Sequence, residues 1–173
     1  MSLQETVFKK ALTSLLSTTC KLAFGDNIVS SKDFVNEALA KSIIQIEYAK
    51  FALKRSDALA LQHFANEAIS FYSSINTQII DLANKKNITT LNKSELIIAA
   101  EKIILEHYKD AFEETYASDQ IEILKEMIEL FQSSSIRDDD GETKQFIENT
   151  LPAIQEFFQA SQKIYTKIHA QKP

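Results

Sequence analysis

The stretch HFANEAISFYSSINTQIIDLA, residues 63–83, sets Phe64, Ala68, Phe71 or Tyr72, Ile75, Ile79 and Leu82 three or four residues apart. That spacing keeps them on one stripe of an α-helix. No sustained period-two alternation and no Asn-Gly turn competes for the same residues. With Leu61 on the same stripe, the helix is predicted to open at Ser56-Asp57 and to run to about Lys85. There Lys85 and Lys86 suit the negative end of the helix dipole, and Asn84, Asn87 and Thr89-Thr90 supply the break.

The same period recurs on both sides. An earlier helix starts at Ser30 or Ser31, with Asp33 giving a start that resembles a capping box, and ends near Arg55. Its inner stripe is Phe34, Ala38, Ser42, Gln45 or Ile46, Ala49 and Leu53. A third helical region, opened by Asn92 to Ser94, is predicted from about Ser94 to Gln132 with a bend or break near Asp110. Leu96, Ala99 or Ala100, Ile103 and Ile104 pack one half. Phe112, Tyr116, Ile121 or Ile123, Leu124, Ile128 and Phe131 pack the other. Ser133-Ser134-Ser135 and Asp138 to Gly141 read as the clearest loop. The last helix spans about Glu142 to Ala170, with Ile147, Leu151, Ile154, Phe158, Tyr165 and Ile168 inward and Pro152 as a predicted kink.

Composition agrees. In 173 residues there are two glycines and two prolines, too few for the turns of a sheet protein. The length suits one domain. The fold class is therefore all-α: four long amphipathic segments pack best as an antiparallel four-helix bundle. A net charge of −5 argues against nucleic acid, which demands a basic surface. No stretch approaches the ~20 apolar residues of a membrane span. Cys20, the single cysteine, can form neither an intramolecular disulfide nor a Cys-based zinc site.

Residues 1–25 admit two readings. Lys9 and Lys10, the mildly apolar run Ala11 to Cys20, and the small residues Ala23 and Gly25 before Asp26 follow the layout of a signal peptide. Lys21 and the diluting Thr13, Ser14, Ser17, Thr18 and Thr19 count against it. The alternative is a retained N-terminal helix with Phe8, Leu12, Leu15, Thr19 and Leu22 on one stripe. Removal would take three lysines and one glutamate, moving the net charge from −5 to −7. The expected organisation is a signal segment over 1–25 and a helical bundle over 26–173.

Four segments carry a family resemblance: FVNEALAKSIIQIEYAKFAL (34–53), HFANEAISFYSSINTQIIDLA (63–83), FEETYASDQIEILKEMIELF (112–131) and FIENTLPAIQEFFQASQKIY (146–165). They resemble a bacterial family of ferritin-like bundle proteins of unknown function, often described as periplasmic or outer-membrane proteins. The landmarks are Phe34-Val35, Phe64-Ala65, Phe112 with Tyr116, and Leu151-Pro152. The resemblance implies a ferritin-like bundle, an export signal and no established activity. The chain departs from the family pattern inside the bundle. Phe71-Tyr72 stand where the family often has an acidic residue and a histidine, Ile123-Leu124 replace an Asp-His pair, Phe157 replaces a histidine, and Gln45 stands for an early glutamate, with Glu47 nearby.

Ferritin-like di-metal centres use Glu-x-x-His pairs on two helices. The residues three before His63, His107 and His169 are Ala60, Ile104 and Thr166, so no such pair exists. His63 and Glu67 read as an exposed i, i+4 pair, and Glu122, Glu126 and Glu129 as a solvated stripe. Asp138 to Glu142 lacks the ligand spacing of an EF-hand and is explained by helix capping. With two glycines, no P-loop, nucleophile elbow or dinucleotide fingerprint is present.

The expectation is thus a non-enzymatic, periplasmic bundle that acts through an unidentified protein partner, with no cofactor and no catalytic residue. A homo-oligomer and a cytoplasmic location stay open. Two other readings stand beside it. One is a divergent metal-binding oxidoreductase or storage protein, whose ligands would come from Glu47, His63, Glu67, Glu122 and Glu126. The other is a carrier of a small apolar ligand between the helices.

Overall fold

The computed structural model describes residues 30–107, 112–137 and 140–170. The signal or N-terminal helix expected over 1–25 lies outside these described residues. The described chain is all-α, with five helices and no strand. They are α1 (Ser31–Arg55), α2 (Leu59–Lys85), α3 (Lys93–His107), α4 (Phe112–Arg137) and α5 (Gly141–Ala170).

Local chemistry fixes the ends. The Ser30 hydroxyl accepts the Asp33 N–H at 3.2 Å and donates to its carboxylate at 2.7 Å, capping α1. Asn92 caps α3 by accepting the N–H groups of Ser94 and Glu95, and Asp140 caps α5 by accepting the Glu142 N–H. At the far end of α2, Asn87 takes a positive φ of 53°. Its N–H donates to Asn84, and the Ile88 N–H donates back to Ala83 at 2.8 Å. That pair of bonds is a Schellman stop with Asn in the place glycine usually takes.

Two expected boundaries move. Ser133-Ser134-Ser135 is helical, because α4 continues to Arg137. Ser133 donates its hydroxyl back to the Leu130 carbonyl, and Ser134 is buried. A serine that bonds backward within its own helix no longer competes to end it. α2 opens at Leu59 rather than at Ser56-Asp57, because the Ser56 hydroxyl is engaged by the Ala58 N–H and by the Glu113 carboxylate of α4. The expected break near Asp110 falls between α3 and α4.

Side-chain pairs give the directions. Ser42 meets Asn76, and Asn36 reaches the Thr89 carbonyl just past α2, so α1 and α2 run antiparallel. Phe34 meets Phe131 and Phe51 meets Phe112, so α4 opposes α1. Phe131 meets Phe146 and Glu114 meets His169, so α5 opposes α4. Lys86 meets Asp140, and Phe71 meets Phe157, closing α2 on α5. Hence α1 and α5 point one way and α2 and α4 the other. α3 starts beside Asn36, which accepts the Leu91 N–H at 2.8 Å, and leads to α4 beside the end of α1, so it returns along α1.

Covered by α2, α3 and α4, α1 is buried over nearly all of Phe34 to Ala52. Its inner stripe is buried from Phe34 to Ala49, with Leu53 only partly buried, and burial extends beyond the stripe to Asn36, Glu37 and Lys41.

Candidate functional site

The space enclosed by α1, α2, α4 and α5 is where a bundle protein would hold a ligand. One side of it is aromatic. Phe157 from α5 stacks on Phe71 at 4.5 Å and on Phe64 at 5.1 Å, and meets Tyr72 edge-on at 5.8 Å. Tyr116 from α4 stacks with Tyr48 and Phe112 and meets Phe64 edge-on. Such pairs add about 0.5–1.5 kcal/mol each beyond the area they bury.

The remaining lining is polar but neutral. Gln45 on α1, Tyr72 on α2, and Tyr116 and Gln120 on α4 are all buried. Two contacts bracket the carboxamides: Lys41 with Glu126, and Tyr48 with Tyr116. In the α1–α4 register, Gln45 and Gln120 fall between these two rungs. The Ser42–Asn76 contact sets Tyr72, one turn from Asn76, near the same level. Burial pushes the Tyr72 phenol well above its ordinary value, and a charge on Tyr116 would push it further. Burial likewise raises Tyr116. Both therefore stay neutral and serve as hydrogen-bonding hydroxyls.

One charged cluster lies a turn away. Lys41 is buried, 3.0 Å from Glu126 and 3.9 Å from Glu37. Burial raises the Glu37 carboxyl above the usual glutamate range; Lys41 opposes this, while Glu126 and Asp33 add to it. One cation against two carboxylates makes this an interhelical clamp.

The five residues weighed as ligands do not converge on one point. His63 and Glu67 form the expected surface pair, 3.2 Å apart and largely exposed. Glu122 is exposed and paired with Lys125 at 2.6 Å. Glu47 is buried and accepts from Lys50 at 2.8 Å. Glu126 faces Lys41 rather than joining the solvated stripe expected for it. Among the described residues, no three His, Cys, Asp or Glu side chains come together to hold a metal ion.

Gln120 escaped sequence reading, although it shares a face with Tyr116 and Leu124, four residues to either side. Lys41 escaped because its partner lies 85 residues away.

On the outside, α3 packs on α1 through Leu96, Ala100, Ile103 and Ile104. It turns Ile98 and Leu105 outward, 67% and 65% exposed. No helix is long and apolar enough to cross a membrane, among the described residues.

A family model described as a domain of unknown function (DUF4142) matches residues 23–164. No curated protein and no solved structure matches the chain.

Proposed function

The chain belongs to the DUF4142 family, and from that premise we propose that it is a non-catalytic bundle protein of the cell envelope that acts through contact with another protein. The proposal takes α1, α2, α4 and α5 as a ferritin-like antiparallel four-helix bundle with α3 as its one long crossover. The order of directions supports this, because α2 and α4 point the same way and a connection as long as the bundle must join them. The layout of residues 1–25 supports export.

The observation that carries the contact role is the outer face of α3. Ile98 and Leu105 lie seven residues apart, two turns along one stripe, with Glu101 and Lys102 exposed between them. An apolar pair framed by both charges suits the apolar face of a partner helix with a polar rim. The neutral, aromatic interior fits the same reading, since it offers aromatic packing where a redox bundle places carboxylates and imidazoles.

A photo-crosslinking side chain placed at 98 or at 105, in the full chain expressed in its native host, tests the reading. We expect one discrete adduct from each position and none from exposed Gln162 on α5. An adduct of twice the chain mass would make the partner a second copy. Equal labelling from all three positions, or none from 98 and 105, contradicts the contact role.

A further inference from the structure

We propose that the interior between α1, α2 and α4 is a closed binding site for a small neutral hydrogen-bonding guest, water in its simplest occupancy, held by the carboxamides of Gln45 and Gln120 and the hydroxyls of Tyr72 and Tyr116. This site stands apart from the α3 contact face.

Both polar atoms of each carboxamide and both phenol oxygens lack a hydrogen-bond partner among the described residues. All four residues are at most 1% exposed. Buried polar groups in folded proteins are bonded in the great majority, because a group stripped of water and left unpaired loses most of its solvation without return. Six such atoms inside one bundle would together rival the stability of a whole domain. They come from three helices, so sliding one helix cannot pair them all.

The donor set selects the guest. Carboxamides and phenols each both donate and accept, so they can surround a molecule that does the same. None of the four is ionised, and Lys41, one turn before Gln45, is engaged with Glu126 at 3.0 Å. A bare ion entering here would lose its hydration and gain no countercharge. Phe64 and Tyr48 pack on Tyr116, and Phe157 packs on Tyr72, so aromatic rings flank both phenols away from solvent. Water, or a neutral amide or alcohol of similar size, satisfies every constraint.

The test is a high-resolution crystal structure of the full chain, together with thermal unfolding of Gln45→Leu, Gln120→Leu and the double variant. We expect density for water or another small neutral molecule within bonding distance of at least three of the four side chains. Each single variant should lower Tm by about 5 °C, because it strands the groups it leaves behind. The double variant should lose clearly less than the sum, because the two share one guest. The site is refuted by carboxamides and phenols bonded directly to one another with nothing between them, by an ion in the density, or by strictly additive Tm losses. If the variants fail to fold, the wild-type density decides alone.

Discussion

Phe157 lies flat against Phe64, with ring centroids 5.1 Å apart and planes 5° from parallel, and so ties α5 to α2 through the middle of the bundle. Because it also stacks on Phe71 and meets Tyr72, one side chain fixes the spacing of four rings. Phe157→Ala should therefore cost about 3–5 kcal/mol, and Phe157→Leu clearly less, in urea unfolding of the full chain. A loss under about 1 kcal/mol for the alanine variant would show that the stack adds little.

The clamp of Glu37, Lys41 and Glu126 should respond to both mutation and pH. Lys41→Met leaves two largely buried carboxylates without their cation, and should destabilise by about 3 kcal/mol. Adding Glu126→Gln should recover part of that loss. Glu37 holds its proton more tightly folded than unfolded, so its contribution to stability falls as pH rises from the ordinary glutamate range through the raised folded value. Glu37→Gln should raise Tm at pH 7 and bring no gain at pH 4. A pH-independent difference in melting curves would refute this.

Asn87 holds the left-handed position that ends α2. Asn87→Gly should be neutral or raise stability by up to about 1 kcal/mol, whereas Asn87→Val should cost about 1–2 kcal/mol. Thermal unfolding of the two variants side by side checks the order, and reversal of that order would refute the Schellman stop.

Export predicts a processed chain. Intact-mass measurement of protein recovered from its native host should show loss of residues 1–25 and a start at Asp26. Recovery of the full-length mass would favour the retained N-terminal helix.

The period of three and four made the helices legible. The inner stripe of α2 is buried as expected apart from Phe71, and α1 ends at Arg55 as its composition indicates. Capping residues fixed the starts of α1 and α3 because a cap acts within three residues. Ser56 and Ser133 misled for the complementary reason. Ser56 reads as a helix start and Ser133 as a breaker, but the hydroxyl is held by Glu113 in one case and by the Leu130 carbonyl in the other. The Lys41–Glu126 clamp and the level shared by Gln45 and Gln120 were not legible, because they depend on how α1 and α4 slide past each other, and no local spacing encodes that register.

The proposal stands or falls with an interior lined by aromatic and neutral polar side chains rather than by a set of metal ligands. Elemental analysis of the full chain purified under native conditions from its own host tests it most directly. Iron and manganese should fall far below one atom per chain. Stoichiometric metal that survives dialysis, and is lost when Glu47 or Glu126 is replaced, would contradict it.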